Sequence, residues 1–104
     1  MNNKNIIDIA ANVKQIEGLK SKILVEIANI FRIMSESSAE NGELDGKFAE
    51  IIMNSYLLAA KLGFSYDDVH EKILSKLKLE ILARDTVSDY NELSDWFKNL
   101  RSTS

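Results

Sequence analysis

Residues 47–63, KFAEIIMNSYLLAAKLG, constrain the fold more than any other stretch: they are apolar on nearly every side of a helix, yet carry Glu50 and Asn54. At about 1.5 Å of rise per residue, a helix here spans roughly 25 Å. It sets Phe48, Ile52, Ser55, Ala59 and Leu62 on one face and Met53, Leu57 and Ala60 on the others. A helix that is apolar all round is expected at the centre of a bundle. An ionised group taken out of water without a partner is costly, so Glu50 and Asn54 are expected to be paired or functional.

The rest of the chain supplies helices to pack around it. In residues 13–37 the apolar side chains Ile16, Leu19, Ile23, Ile27, Ile30 and Met34 recur at steps of three and four, flanked by Leu24 and Phe31, which predicts a long helix. Residues 5–11 form a short amphipathic segment, with Asn12 as a candidate N-cap of that long helix. Gly18 interrupts the long pattern at a cost of about 1 kcal/mol relative to alanine, so either the helix runs through it or two helices meet there. Residues 35–46, SESSAENGELDG, gather serine, glycine, asparagine and acids, and predict a loop that is either a solvated turn or a lid. Gly63 stands where a helix ends, and Ser65 with Asp67 and Asp68 reads as a capped start. Val69, Ile73, Leu77 and Ile81 then form a core stripe with Leu74 at its edge and Lys72, Lys76 and Lys78 outward. Asp85, Thr86 and Val87 break the pattern before a short helix over 88–100 with Tyr90, Leu93, Trp96, Phe97 and Leu100 on one stripe. His70 has no sequence partner and reads as a surface residue. The expectation is a single all-α domain over residues 1–104, an antiparallel helical bundle of three to five helices completed by oligomerisation.

Charge and composition narrow the function classes. A chain of 104 residues can bury a core, but is small enough for a partner subunit to supply part of it. Thirteen Lys and Arg against sixteen Asp and Glu give a net charge of −3, the wrong sign for holding nucleic acid through counterion release. A free nucleotide is compatible, because a bound Mg²⁺ reverses the local sign that carboxylates present to a phosphate. The lack of cysteine removes disulfides and thiolate metal sites. With no membrane-length apolar run and no sustained signal-like stretch at the start, a cytoplasmic protein is expected.

Glu26 falls roughly 80° from the centre of its helix's apolar stripe, counting about 100° per residue, with Asn29 and Ile33 on the same side. Glu50 lies opposite the face that begins at Phe48. From two facing helices these carboxylates can converge on one cation, and oxygen-only ligation suits Mg²⁺ or Mn²⁺. The plainer alternative is surface ion pairing, Glu26 with Lys22 and Glu50 with Lys47 or Lys61. Asn54 can equally hydrogen-bond across a helix interface. Tyr90, Trp96 and Phe97 read as core or dimer contact before they read as a base-stacking platform.

Val25-Glu26-Ile27-Ala28-Asn29 on the first helix, Lys47-Phe48-Ala49-Glu50 on the second, the run Tyr56-Leu57-Leu58-Ala59-Ala60-Lys61-Leu62-Gly63 and the lysine-bearing stretch 71–84 occur in a telling order. Over residues 16–84 that order resembles the MazG-like family, the all-α nucleoside triphosphate pyrophosphohydrolases and their relatives. In the family, Glu-Glu-x-x-Glu and Glu-x-x-Asp motifs hold Mg²⁺ on the triphosphate. Glu26 matches one of those acids and Glu50 replaces the Asp, while Asn29 and Lys47 stand at acidic positions. The resemblance implies a nucleoside triphosphate site between the two helices, with Glu26 and Glu50 as residual Mg²⁺ ligands and Asn29, Lys47 and Asn54 lining the pocket. It also implies a homo-oligomer, dimer or tetramer, and a Mg²⁺-dependent pyrophosphohydrolase if the chain is active. A lysine in an acid's place weakens the cation site and suits direct contact with a phosphate. The alternative from another class is a non-catalytic oligomerisation or protein-interaction module that uses the apolar helix and the Trp96 stripe as assembly surfaces.

Overall fold

Four helices make up the structure: α1 (Asn3–Ser35), α2 (Asn41–Lys61), α3 (Tyr66–Ala83) and α4 (Ser88–Ser102). It is a computed structural model that describes residues 3–36, 41–83 and 88–102, and no strand occurs among the described residues. The expected all-α class holds. Two compact units divide the chain, Met1–Gly63 and Phe64–Ser104, each a helix pair: α1 on α2, and α3 on α4.

α1 corrects one expectation and decides between two alternatives at Gly18. It runs unbroken for 33 residues, so Asn12 caps nothing and residues 5–11 are simply its beginning. It also passes through Gly18, whose φ is not positive and beside which a Cβ would meet nothing within 4 Å. A deficit of about 1 kcal/mol is too small to stop a helix whose hydrogen-bond ladder and packing continue on both sides. α2 starts at Asn41, so the second half of the predicted loop is helical, with Glu43 in the first turn where the helix dipole favours an acid. Residues 37–40 of that loop lie outside the described residues.

Burial shows how unit 1 is built. On α1 the covered positions include 12, 16, 19, 23, 26, 30 and 33, and on α2 they include 44, 47, 51, 54 and 58. Steps alternating between three and four are the seam of a helical hairpin. Ile30 and Ile33 are buried, Ile33 completely, whereas Met34 and Phe31 of the expected stripe are exposed. The packed face of α1 is therefore turned toward Glu26 relative to the expected one. α2 is not covered all round: Phe48, Ile52, Met53 and Leu57 are exposed, while Asn54 is buried.

Gly63 closes α2 with φ of 99°, its N–H donating to Ala60 O at 3.1 Å. This is the left-handed conformation that glycine adopts without strain. Ser65 and Asp68 then start α3 with a reciprocal capping box: the Asp68 N–H donates to Ser65 Oγ and the Ser65 N–H to Asp68 Oδ2, each at 3.0 Å. In unit 2, Leu77 is buried, Val69, Ile73, Leu74 and Ile81 are half-buried, and Lys72, Lys76 and Lys78 are exposed, as their spacing predicts. The α4 stripe differs. Tyr90 and Phe97 are half-buried and Ser94 is buried, whereas Leu93, Trp96 and Leu100 stand exposed. His70 is half-buried, not a surface residue: its ring meets Phe97 edge-on at 5.3 Å and its buried Nε2 has no hydrogen-bond partner. Arg84 and the predicted break at 85–87 lie outside the described residues. No helix among the described residues is long and apolar enough to cross a membrane.

Candidate functional site

The seam of the α1–α2 hairpin carries four polar residues where apolar ones are usual: Asn12 and Glu26 from α1, and Lys47 and Asn54 from α2. Because the helices run antiparallel, the second turn of α2 meets the last third of α1. Lys47 Nζ thus lies 2.9 Å from Glu26 Oε2. The other carboxylate oxygen, Oε1, accepts from Asn29 Nδ2 at 3.2 Å, one turn further along α1. Oε2 thus has the Lys47 ammonium as its charged partner, and Oε1 the Asn29 amide.

The electrostatics arise from this arrangement. The Lys47 ammonium holds the Glu26 carboxyl below its usual range, against burial, which pushes it up, and the Asn29 amide adds to the lowering. Reciprocally, Glu26 raises Lys47 above its ordinary value, again against burial, with smaller contributions from the charges of Glu50 and Glu43. Glu50, one turn after Lys47, is exposed. Glu26, Asn29, Lys47 and Glu50 therefore gather around one ammonium. Asn54 is buried two turns further along the α2 seam.

Glu26 pairs with Lys47, a partner that the spacing did not single out. That spacing offered Lys22 for Glu26, and Lys47 or Lys61 for Glu50. Lys22 and Lys61 instead line an open groove of about 450 Å³ on the same hairpin, together with Gln15, Gly18, Leu19 and Leu57. Sequence reasoning missed this groove because its two lysines are 39 residues apart (61 − 22) and meet only once the hairpin register is known.

As they stand, these residues do not fit a divalent cation. Mg²⁺ needs about six oxygen ligands in near-octahedral order, and the position beside Glu26 Oε2 is filled by an ammonium. Among the described residues no three Asp, Glu or His side chains gather to hold a metal ion.

Comparison with known proteins adds one finding. The model of the MazG-like family matches residues 9–98 of the 104. That span takes in α2, α3 and every α1 seam position given above. No curated protein and no solved structure matches the chain.

Proposed function

The chain belongs to the MazG-like family, and on that footing we propose that it is a protein of the nucleoside triphosphate pyrophosphohydrolase kind that binds a nucleoside triphosphate along the α1–α2 hairpin with little or no hydrolysis. One observation carries this reading: Lys47, at a position where the family resemblance implies an acid, has its ammonium 2.9 Å from Glu26. An ammonium has three donors and one charge, so Lys47 can keep Glu26 while offering an N–H to a phosphate oxygen. Asn29 fixes the carboxylate from behind, and Lys22 and Lys61 supply further positive charge along the same hairpin. Asn54, buried in the same seam, stands two turns beyond Lys47. The ammonium occupies the place beside Glu26 Oε2 that a hydrolytic cation would need, which is why hydrolysis is expected to be weak.

The test is a titration of the full-length protein with canonical and modified nucleoside triphosphates, monitored by calorimetry in EDTA and again in Mg²⁺. Pyrophosphate release is measured in parallel with Mg²⁺ and Mn²⁺. Saturable binding in EDTA, weakened by Lys47→Met, with pyrophosphate release near background, is the expected result. Absence of binding to every nucleotide would sink the proposal. Brisk release abolished by Glu50→Ala would replace it with an enzyme that uses the residual acids.

A second reading has its own observation. Leu24, Phe31, Phe48 and Ile52 are all more than half exposed on the α1–α2 pair, an apolar surface suited to assembly. If the chain is only an oligomerisation or interaction module, Leu24→Ser or Phe48→Ser changes its sedimentation while Lys47→Met changes no ligand response.

A further inference from the structure

We propose that Lys47 is a built-in cation: tethered to α2 and held against Glu26 with Glu50 one turn away, its ammonium takes the place of a divalent ion and makes the site independent of metal. The inference rests on reading this hairpin as the ligand-bearing element, but it is tested without any nucleotide.

Three features carry it. The Glu26 side chain is only 10% exposed, and a carboxylate so far removed from water requires compensating positive charge. Lys47 provides that charge from a side chain itself only 28% exposed, so the compensation comes from within the fold and not from solution ions. Next, the two carboxylate oxygens are divided between partners. Oε1 takes the Asn29 amide at 3.2 Å, and Oε2 takes the Lys47 ammonium at 2.9 Å. A carboxylate oxygen held this close to a formal positive charge stands where a cation ligand stands. Finally, the ammonium is attached to the chain. A divalent ion entering here must displace a group present at high effective concentration, and then share the volume with its positive charge.

The corollary is a latent metal site. Replacing Lys47 by glutamate removes the tethered cation and places a third carboxylate between Glu26 and Glu50. Two of the three would then come from one helix at i, i+3 and one from the facing helix, so that oxygen ligands suited to a hard divalent ion meet across the seam.

Mn²⁺ binding to the full-length protein, read by the loss of the free-ion electron paramagnetic resonance signal, tests this directly. Wild type and Lys47→Arg should bind Mn²⁺ only weakly and alike. Lys47→Glu should bind it at least about tenfold more tightly, and adding Glu26→Gln should abolish that gain. Lys47→Gln, which removes the charge without adding a ligand, should fall between wild type and Lys47→Glu, and it decides the matter if Lys47→Glu loses its helical circular dichroism. Wild-type affinity equal to that of Lys47→Glu would overturn the proposal. So would the absence of any gain in folded Lys47→Glu, or in Lys47→Gln when Lys47→Glu does not fold. Nucleotide binding in EDTA is scored separately: its absence removes the nucleotide reading and leaves the Mn²⁺ result standing, and the reverse holds as well.

Discussion

Truncating Ile33 to alanine should be among the costliest single apolar substitutions in the α1–α2 pair. Ile33 is 0% exposed, whereas Phe31, two residues earlier on the same helix, is 66% exposed. Removing three buried carbons at about 0.8 kcal/mol each forfeits roughly 2.4 kcal/mol of transfer free energy. The cavity left behind adds to this, within the span of about 2–5 kcal/mol seen for Ile→Ala in cores. A two-helix seam is open along both sides, so its walls can partly close, and a total of about 3 kcal/mol is expected. Phe31→Ala removes a larger side chain, but should stay within about 0.5 kcal/mol because its ring is mostly in water already. Urea unfolding monitored by far-ultraviolet circular dichroism reads the difference. With a slope of about 1–3 kcal/mol per molar for a small protein, Ile33→Ala should lower the midpoint by about one molar or more at unchanged slope. If Phe31→Ala costs as much as Ile33→Ala, the packed face of α1 is not the seam through positions 26, 30 and 33, and the placement of Glu26 fails with it.

Other consequences concern the helix ends and the long helix. Ser65→Ala removes half of the α3 capping box and should cost about 1 kcal/mol, measured as a lower melting temperature. The Ser65 backbone N–H, and then its hydroxyl, hold Asp68 below its ordinary value of 3.8. A group depressed on folding contributes its stability fully above the unfolded value and loses it as pH falls through the folded one. Asp68→Asn should therefore flatten the acid side of the stability profile below about pH 4, where the wild type keeps losing stability. Gly18→Ala should raise stability by about 0.5–1 kcal/mol, since a mid-helix glycine is replaced where a Cβ meets open space. Gly63→Ala should lower it by about 1 kcal/mol or more, because φ of 99° strains any residue with a Cβ.

Much of the fold was legible in local spacing. The Gly63 stop and the Ser65 start arise from chemistry within four residues, and both are where the pattern put them. The α3 stripe was legible for the same reason: Leu77, with Ile73 four residues before and Ile81 four after, leaves one apolar face to choose. Errors arose where a local preference competed with a longer-range gain. Asn12 suggested a cap and Gly18 left a break open, but Asn12 is a covered seam position and Gly18 is flanked by the seam positions 16 and 19, so the helix continues through both. Glycine and serine in 35–46 suggested a loop, yet Leu44 extends the α2 seam by one turn and carries the helix back to Asn41. On α4 the stripe suggested Leu93, Trp96 and Leu100 as covered with Tyr90 and Phe97, but the inward face runs through Tyr90, Ser94 and Phe97, a choice that depends on what α3 presents and not on α4 itself.

The candidate site was less legible, for a reason that bears on its chemistry. Two stripes on α1 share Ile16, Leu19, Ile23 and Ile30; one continues through Ile27 and Met34, the other through Glu26 and Ile33. Hydrophobicity favours the first, and the structure has the second. What distinguishes them lies across the seam, where Lys47 meets Glu26 at 2.9 Å. A polar pair at such a position fixes register, because sliding either helix leaves a buried charge facing apolar side chains. Lys47 thus has two consequences in one place, setting the hairpin register and filling the position of a cation. Charge reversal separates them. Glu26→Lys and Lys47→Glu should each lower the melting temperature, and the double variant, with the pair restored in the opposite sense, should recover much of the loss. A thermodynamic cycle in which the two effects merely add would detach the pair from register, and would leave only the Mn²⁺ titration of Lys47→Glu to speak for its place in the site.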